Sequence, residues 1–327
     1  MSASACLAAA TCLPAGCALT EVAVAVPDDV IVAEVQVVLT LAPDTDEVTL
    51  TALALLHRTH RPQGAPSLSG AVVEVSAGPR RVVRLWQQRN LAGCIARDPL
   101  SPHVVTRHTR QAVCYRVEVT PAPFTAGEKL SLRITAPDGG VLTGVSRLPG
   151  VFTLVGLEHE GGRCRLDPGT NHRFRWTQAR NVWTHVAGAR FEGIAGPLAR
   201  RGISAPDTVY LLGLATGRQD TAVVFSRDFG VVNDFFSRRS ETRKIIRELR
   251  KGLPDGSSAT VAIAAADRNW VNWTWARGAM NPSGWVRIPS VFGGGTGVFA
   301  TATRRQVWVN SSGNGEDGLP LCGPAEP

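Results

Sequence analysis

Residues 290–299 read SVFGGGTGVF, and the four glycines among residues 293–297 raise the main question about this chain. A glycine-rich loop either cradles a phosphate or lets the backbone turn where a side chain would collide. Residues 295–300 match the GxGxxA dinucleotide fingerprint, but that fingerprint binds a pyrophosphate only between a strand and a following helix. The residues after 300 continue as a strand pattern and then as turns. We therefore expect a wide structural loop that leads into an edge strand.

Seven short segments upstream alternate apolar and polar residues, which is typical of β-strands. They are separated by short turns, and PDGG at residues 137–140 is a strong hairpin signal. The segments cover residues 30–39, 48–59, 70–78, 80–87, 112–119, 130–136 and 141–149. Seven strands of this length within about 120 residues predict an immunoglobulin-like β-sandwich.

The whole chain is predicted to be mostly β. A polar, glycine-rich stretch at residues 158–172 separates the first strand patterns from later ones. One amphipathic helix is predicted near residues 234–252, because Gly252 and Pro254 are stop signals. The predicted units are an N-terminal immunoglobulin-like β-sandwich over residues 28–155, a second β-rich domain carrying that helix over residues 165–310, and a turn-like tail over residues 311–327.

The first seventeen residues, MSASACLAAATCLPAGC, are small, apolar and uncharged. They resemble the apolar core of a secretion signal that ends in a bacterial lipoprotein box. In such a box the cysteine is acylated, which here implies a signal segment over residues 1–17 and lipid attachment at Cys17. The protein is then exported and lipid-anchored at the outer membrane or cell surface. The alternative is a frayed, alanine-rich N-terminus.

Four cysteines remain if the segment before Cys17 is removed and Cys17 is acylated. An even number favours disulfides in an oxidising compartment. Of the three possible pairing schemes we expect Cys94–Cys114 plus Cys164–Cys322, because each bond could then stay local to one half of the predicted architecture. The chain has no CxxC and no Cys/His zinc spacing, so we expect no structural metal.

Motifs of catalysis are missing from the sequence, which has neither HExxH nor the GxSxG nucleophile elbow. Carboxylates scattered among strand ends do not select a catalytic pair, since such residues usually cap turns. We predict a non-catalytic protein without a cofactor, and we keep a hydrolase with an unrecognised carboxylate pair as an alternative. The carboxylates in question are Asp220, Asp228, Asp234 and Asp267.

The formal net charge of +8 is concentrated in one segment. Residues 238–251, RRSETRKIIRELRK, carry seven positive and two negative side chains. Helical spacing places Ile245, Ile246 and Leu249 on a face that docks on the sheet. The opposite face suits anionic lipid head groups or an acidic partner, and export argues against a nucleic acid. The candidate residues on that face are Arg243, Arg247 and Arg250.

The stretch NWVNWTW at residues 269–275 predicts a strand with a mixed face. That face carries Trp270, Asn272 and Thr274, an indole beside polar groups that suits a sugar ring or a partner protein. A strand packed on both faces is the alternative. An exposed Trp270 would favour an exported carbohydrate- or peptide-binding module.

A set of motifs spans most of the chain after the first seventeen residues. It consists of the box at Cys17, VIVAEVQVVL, ALLHRT, GAVVEV, YRVEV followed by Phe124, Gly127 and Glu128 before LSLRIT, TGVSRLPG leading to FTL, and RIPSVFGGGTGVF. The set resembles an uncharacterised bacterial surface-lipoprotein family, a domain of unknown function, in which a similar glycine-rich turn precedes GVF. The resemblance implies a structural role for the glycines and no catalytic residues. Members often occur alongside TonB-dependent receptors, which implies an accessory role to an outer-membrane receptor or uptake system.

Overall fold

The computed structural model describes residues 29–42, 47–59, 67–91, 94, 112–156, 162–213, 219–232, 239–275, 288–311 and 318–322. The strands are β1 Ile31–Leu41, β2 Val48–Arg58, β3 Val72–Ala77, β4 Arg81–Gln87, β5 Val113–Val119, β6 Lys129–Thr135, β7 Val141–Arg147, β8 Arg163–Leu166, β9 His172–Arg175, β10 Thr184–Glu192, β11 Val209–Gly213, β12 Ala222–Phe225, β13 Phe229–Val232, β14 Ser258–Ala266, β15 Val291–Gly293 and β16 Gly295–Ser311. The helices are α1 Ala195–Ala199, α2 Arg239–Leu249 and α3 Arg268–Trp275. The prediction of a mostly β protein is confirmed.

Nine strands close into a β-barrel in the order β1–β2–β5–β4–β3–β6–β7–β15–β16. The barrel closes because β16, from the C-terminal part of the chain, pairs with β1 in parallel along the whole length of β1. The seven strands predicted before residue 150 form as β1 to β7. The prediction of an immunoglobulin-like β-sandwich, however, is wrong. Period-two alternation identifies a strand with one buried face, and it looks the same in a sandwich and in a barrel.

The barrel interior is a packed core built from alternate residues of its strands. Phe124 and Phe299 are among its largest buried side chains, and both are about 1% exposed or less. Small and branched residues line β1, which lets the neighbouring strands curve around them. The inward residues of β1 are Ile31, Ala33, Val35, Val37 and Leu39.

The glycine-rich stretch lies where the barrel closes. A Cβ added to Gly297 would overlap the carbonyl oxygen of Ala33 on β1, and one added to Gly295 would overlap another carbonyl of the same strand. Gly293, with φ of +110°, approaches a carbonyl at the start of β7 in the same way. The glycines therefore allow backbones to approach where a side chain would separate them. The prediction of an edge strand after the glycines is wrong, because β16 has neighbouring strands on both sides.

The strand β16 continues beyond the barrel and carries further strands of the same sheet. Its second half pairs with β14, after which β10, β11 and β13 follow, and β8 pairs in parallel with its last residues. We call β8, β10, β11, β13 and β14 the extension. A second core lies here, and it includes Val307 and Val309 of β16 together with Phe191 and Phe225. The prediction of a separate second domain is therefore wrong, because β16 belongs to both the barrel and the extension.

Between the two cores, the inward side of β16 is polar. Three side chains there donate hydrogen bonds to carbonyls of the segment that leaves β7 and crosses from the barrel to the extension. These bonds satisfy backbone groups that the crossing would otherwise bury without partners. The three bonds are Thr301 Oγ1 to Arg147 O at 2.8 Å, Thr303 Oγ1 to Pro149 O at 2.8 Å and Arg305 Nε to Phe152 O at 2.7 Å.

The predicted amphipathic helix is confirmed as α2, and its predicted residues 234–238 lie outside the described residues. The strand predicted over NWVNWTW is wrong, because residues 268–275 form α3. Asp267 follows β14 and caps this helix, since its Oδ1 accepts the N–H of Trp270 at 2.8 Å. Aromatic and β-branched residues allow either structure, so the cap and the tertiary packing decide the outcome.

Both predicted disulfides are present. The Cys94–Cys114 bond lies on the outer face of the barrel, and its Cα atoms are 5.7 Å apart. The Cys164–Cys322 bond joins β8 to the C-terminal tail, with Cα atoms 4.8 Å apart. The preferred pairing among the three possibilities is thus confirmed.

Replacing Gly297 by alanine is expected to destabilise the protein by roughly 3 kcal/mol or more, because the added Cβ overlaps a carbonyl of the closing strand pair. Urea unfolding followed by circular dichroism measures the change. Gly318→Ala is the matched control, since a Cβ there meets nothing within 4 Å. Equal stability of the two variants would contradict the role of Gly297 in closure.

Removing the Cys164–Cys322 bond is expected to cost more than removing the Cys94–Cys114 bond. The two bonds close segments with sequence separations of 158 and 20 residues. The chain-entropy model then assigns about 5 and about 3 kcal/mol to them. Paired alanine substitutions and urea unfolding test the order, and a larger loss from C94A/C114A would refute it.

Candidate functional site

Helix α2 presents a row of cations to solvent. Ile245 and Leu249 lie in the second core and Ile246 packs against it, as the helical spacing predicts. Because the apolar side of the helix is used in folding, its cationic side faces outward, and this prediction is confirmed. The exposed cations of this segment are Arg243, Lys244, Arg247, Arg250 and Lys251.

A cation from another segment joins this row. Arg201, just after α1, has its Nη1 atom 2.8 Å from Glu248 Oε2, and Lys251 Nζ lies 2.5 Å from Glu248 Oε1. Hydrogen bonds from Lys251 and then Arg201 hold the pKa of Glu248 below its usual value. We call Arg201, Arg243, Lys244, Arg247, Arg250 and Lys251 the α2 cationic surface.

The C-terminal end of α2 is fixed on the extension. Arg250 Nε donates to Phe229 O at 3.2 Å, and its guanidinium lies over Gly230, where a Cβ would collide with it. Ser226 Oγ donates to Leu249 O, which satisfies a carbonyl at the helix end. Sequence reasoning missed these contacts, because no local pattern relates a helix end to the turn between β12 and β13.

The predicted tryptophan face does not form. Trp270 is 1% exposed and packs with Ala300 and Ala302 of β16 on the outer side of the sheet, so its place on an exposed surface is wrong. Asn272 is half-buried on the same helix. The side chain of Thr274 lies outside the described residues.

The candidate carboxylates have separate structural contacts. Asp228 Oδ2 accepts the N–H of Val224 at 2.8 Å in the turn between β12 and β13. Asp267 is buried at the junction of the barrel and the extension. Asp234 lies outside the described residues, and Asp220 lies close enough to His185 to affect its titration.

Asp267 is the centre of a buried polar cluster that the sequence analysis treated only as a possible acid. Its Oδ2 accepts the Ser146 hydroxyl at 2.5 Å, and Ser146 Oγ lies 2.9 Å from Thr301 Oγ1. The cluster therefore joins β7, β16 and the first turn of α3. Burial raises the pKa of Asp267 to about 6, although the hydrogen bonds from Ser146 and Trp270 favour the charged form.

His185 is a second buried titratable group. Its ring lies 5.8 Å from the ring of Phe152 and 5.3 Å from that of Trp176, centroid to centroid. Burial lowers the pKa of His185 to about 4, and Asp220 opposes the shift. The imidazole is therefore neutral at pH 7, as expected for a core histidine.

Within the residues that the structure describes, no group of three or more His, Cys, Asp and Glu side chains is placed to hold a metal ion. The described helices are also too short or too polar to span a membrane. The lipid attachment predicted at Cys17 lies outside the described residues.

No protein-family model matches the chain, and no curated protein matches it. Among solved structures, the yeast delta-COP-I mu-homology domain complexed with a Dsl1 WxWxV peptide aligns over 87% of this chain and 98% of that chain. The identity is 10% and the TM-score is 0.23, which is too low to indicate a common fold. The resemblance to surface lipoproteins therefore stays a prediction.

The buried Asp267 is expected to make the protein more stable as the pH falls from 7 to 4. Its folded pKa of about 6 exceeds the usual 3.8, so the folded state binds a proton that the unfolded state does not. This contribution amounts to roughly 2–3 kcal/mol at pH 4 and is lost as the pH rises through 6. Asp267→Asn removes it, so the variant should lose more stability on acidification than the natural protein.

His185→Phe is expected to have the opposite effect on the same pH profile. The folded pKa of about 4 lies below the usual 6.5, so stability from neutral His185 is lost as the pH falls through 4. This loss is also roughly 2–3 kcal/mol. Urea unfolding between pH 4 and 7 measures both variants. Parallel profiles for the two variants would show that these groups do not titrate as described.

Proposed function

We propose that this chain is a non-catalytic lipoprotein, exported and lipid-anchored through Cys17 at the outer membrane or cell surface. It binds a partner and serves as an accessory to a receptor or uptake system. The observation that carries the proposal is the α2 cationic surface. Exposed cations on a helix fixed by core contacts form a binding surface whose backbone is already ordered before a partner binds.

The two disulfides support export. Disulfides persist in oxidising compartments and are rare where thiols are kept reduced. One bond holds the C-terminal tail on β8, and the other lies on the outer face of the barrel.

The buried titratable groups support a binding role over a catalytic one. Asp267 caps α3 and bonds Ser146, while His185 lies against two aromatic rings. General acid–base catalysis requires a side chain within reach of a substrate proton. A structural role accounts for both groups without a substrate.

The test is purification of the full-length tagged protein from detergent-solubilised membranes, with Cys17→Ser as the matched control. Mass spectrometry then reads the state of Cys17 and identifies the proteins that co-purify. We expect an acylated Cys17, lost in the variant, and an outer-membrane receptor of the TonB-dependent type in stoichiometric amount. A soluble, unmodified and partnerless protein would contradict the proposal.

An exported carbohydrate- or peptide-binding module is the second candidate, and one observation favours it. Trp86 on β4 is 59% exposed, and the guanidinium of Arg84 lies 5.2 Å from its ring centroid. Exposed indoles stack on sugar rings and on peptide side chains. Glycan-array binding that is abolished by Trp86→Ala but unchanged by Trp183→Ala, at another exposed indole, would favour this function.

A further inference from the structure

The α2 cationic surface and the entry of the chain into the barrel lie at opposite ends of β16. Ile31, the first residue of β1, pairs with Gly295 at the start of β16. Ser258, which follows α2 after a short connection, pairs with Asn310 near the end of β16. The 17 residues of β16 have a contour length of about 50 Å.

Contacts at the far end keep α2 there. Ser257 N donates to Ser311 Oγ at 3.0 Å, just beyond the helix. Gly252 lies against Gly169, which follows β8, and a Cβ on Gly252 would collide with that backbone. Leu249 belongs to the second core. The cations are thus held about one β16 length away from residue 31.

The length of the N-terminal segment limits how an anchored molecule can be oriented. The chain from Cys17 to Asp29 spans at most about 40 Å when fully extended. This is shorter than the contour length of β16, so a molecule whose β16 stands perpendicular to the membrane presents α2 away from it. With β16 lying along the membrane, α2 would reach the bilayer.

We propose that the α2 cationic surface binds an acidic face of a partner protein, on the side of the molecule away from its anchor. This inference rests on the proposed anchor at Cys17 and names the chemical class of the partner. Guanidinium groups bind carboxylates through paired hydrogen bonds. The surface already holds one carboxylate, because Arg201 and Lys251 each form an ion pair with Glu248.

The spacing of the cations determines which arrangement of carboxylates on a partner can pair with them. Arg243 and Arg247 are one helical turn apart, so their Cβ atoms lie about 6 Å from each other. Arg250, directly after the last residue of α2, is the next exposed cation and also donates to Phe229 O. Carboxylates spaced by one turn on an acidic helix, or by two residues on a strand, match this row at about 6–7 Å.

The first experiment measures binding of a labelled oligoglutamate peptide to the full-length chain by fluorescence anisotropy. The variant R243Q/K244Q/R247Q is expected to weaken binding about tenfold, from three exposed ion contacts. High salt should weaken binding to the natural chain as well. The control R80Q/K129Q/R133Q removes the same residue types from exposed positions on the barrel. An equal loss in both variants would overturn the proposal, because net charge alone would then explain binding.

The second experiment tests orientation. The chain is tethered by an N-terminal histidine tag to nickel-chelating vesicles of phosphatidylcholine, with or without phosphatidylglycerol. We expect the peptide to bind equally on both, because α2 faces away from the bilayer. Loss of peptide binding on phosphatidylglycerol vesicles would overturn the proposal and assign the surface to anionic lipid.

These outcomes separate the partner class from the proposed function. The tag replaces the acyl anchor, so peptide binding in either experiment does not depend on acylation of Cys17. An unmodified Cys17 in cells would remove the anchor and leave the acidic-partner result intact. If Cys17 is acylated in cells but the peptide does not bind, the acidic-partner proposal fails and the proposed anchoring stands.

Discussion

The parallel pairing of β1 with β16 is the constraint on which the rest of the structure depends. It joins the first described strand to the last and turns a row of antiparallel strands into a closed barrel. Closure removes the free edges that a sheet of this size would expose. The pairing needs Gly295 and Gly297, because side chains there would overlap the backbone of β1. A feature that resembles a nucleotide loop in sequence is therefore a requirement of strand packing.

The same strand determines where the α2 cationic surface lies. β16 leaves the barrel through a polar section, in which Thr301, Thr303 and Arg305 bond the crossing segment, and then enters the second core. The extension that it carries holds α2 at the far end. The start of β1 at Ile31 and the α2 cationic surface therefore lie at opposite ends of one strand.

The two buried titratable groups and the exposed cations of α2 have different roles. Asp267 and His185 are buried. Burial raises the pKa of Asp267 and lowers the pKa of His185, which in both cases favours the neutral form. Their effects on stability have opposite signs between pH 4 and 7, so they offset each other in the natural protein. The α2 cations remain in solvent, where a charge costs little to keep and can meet a partner. This contrast is why we assign binding to the surface and structure to the buried groups.

The sequence by itself determined the local features: the strands with their period of two, the amphipathic α2 with its outward cations, and the two disulfides. The strands and α2 depend on residues close in sequence, and the disulfides follow from an even cysteine count and the preference for one pair in each half of the chain. Only the tertiary structure decided the barrel, the shared strand β16, the helical state of residues 268–275 and the burial of Trp270. These depend on contacts between distant segments, such as Ser146 with Asp267, and period-two alternation contains no information about which strand lies next to which. The same distinction holds for the candidate site. The outward cations of α2 are predictable from helical spacing in the sequence, whereas the place of Arg201 beside them and the position of α2 depend on tertiary packing.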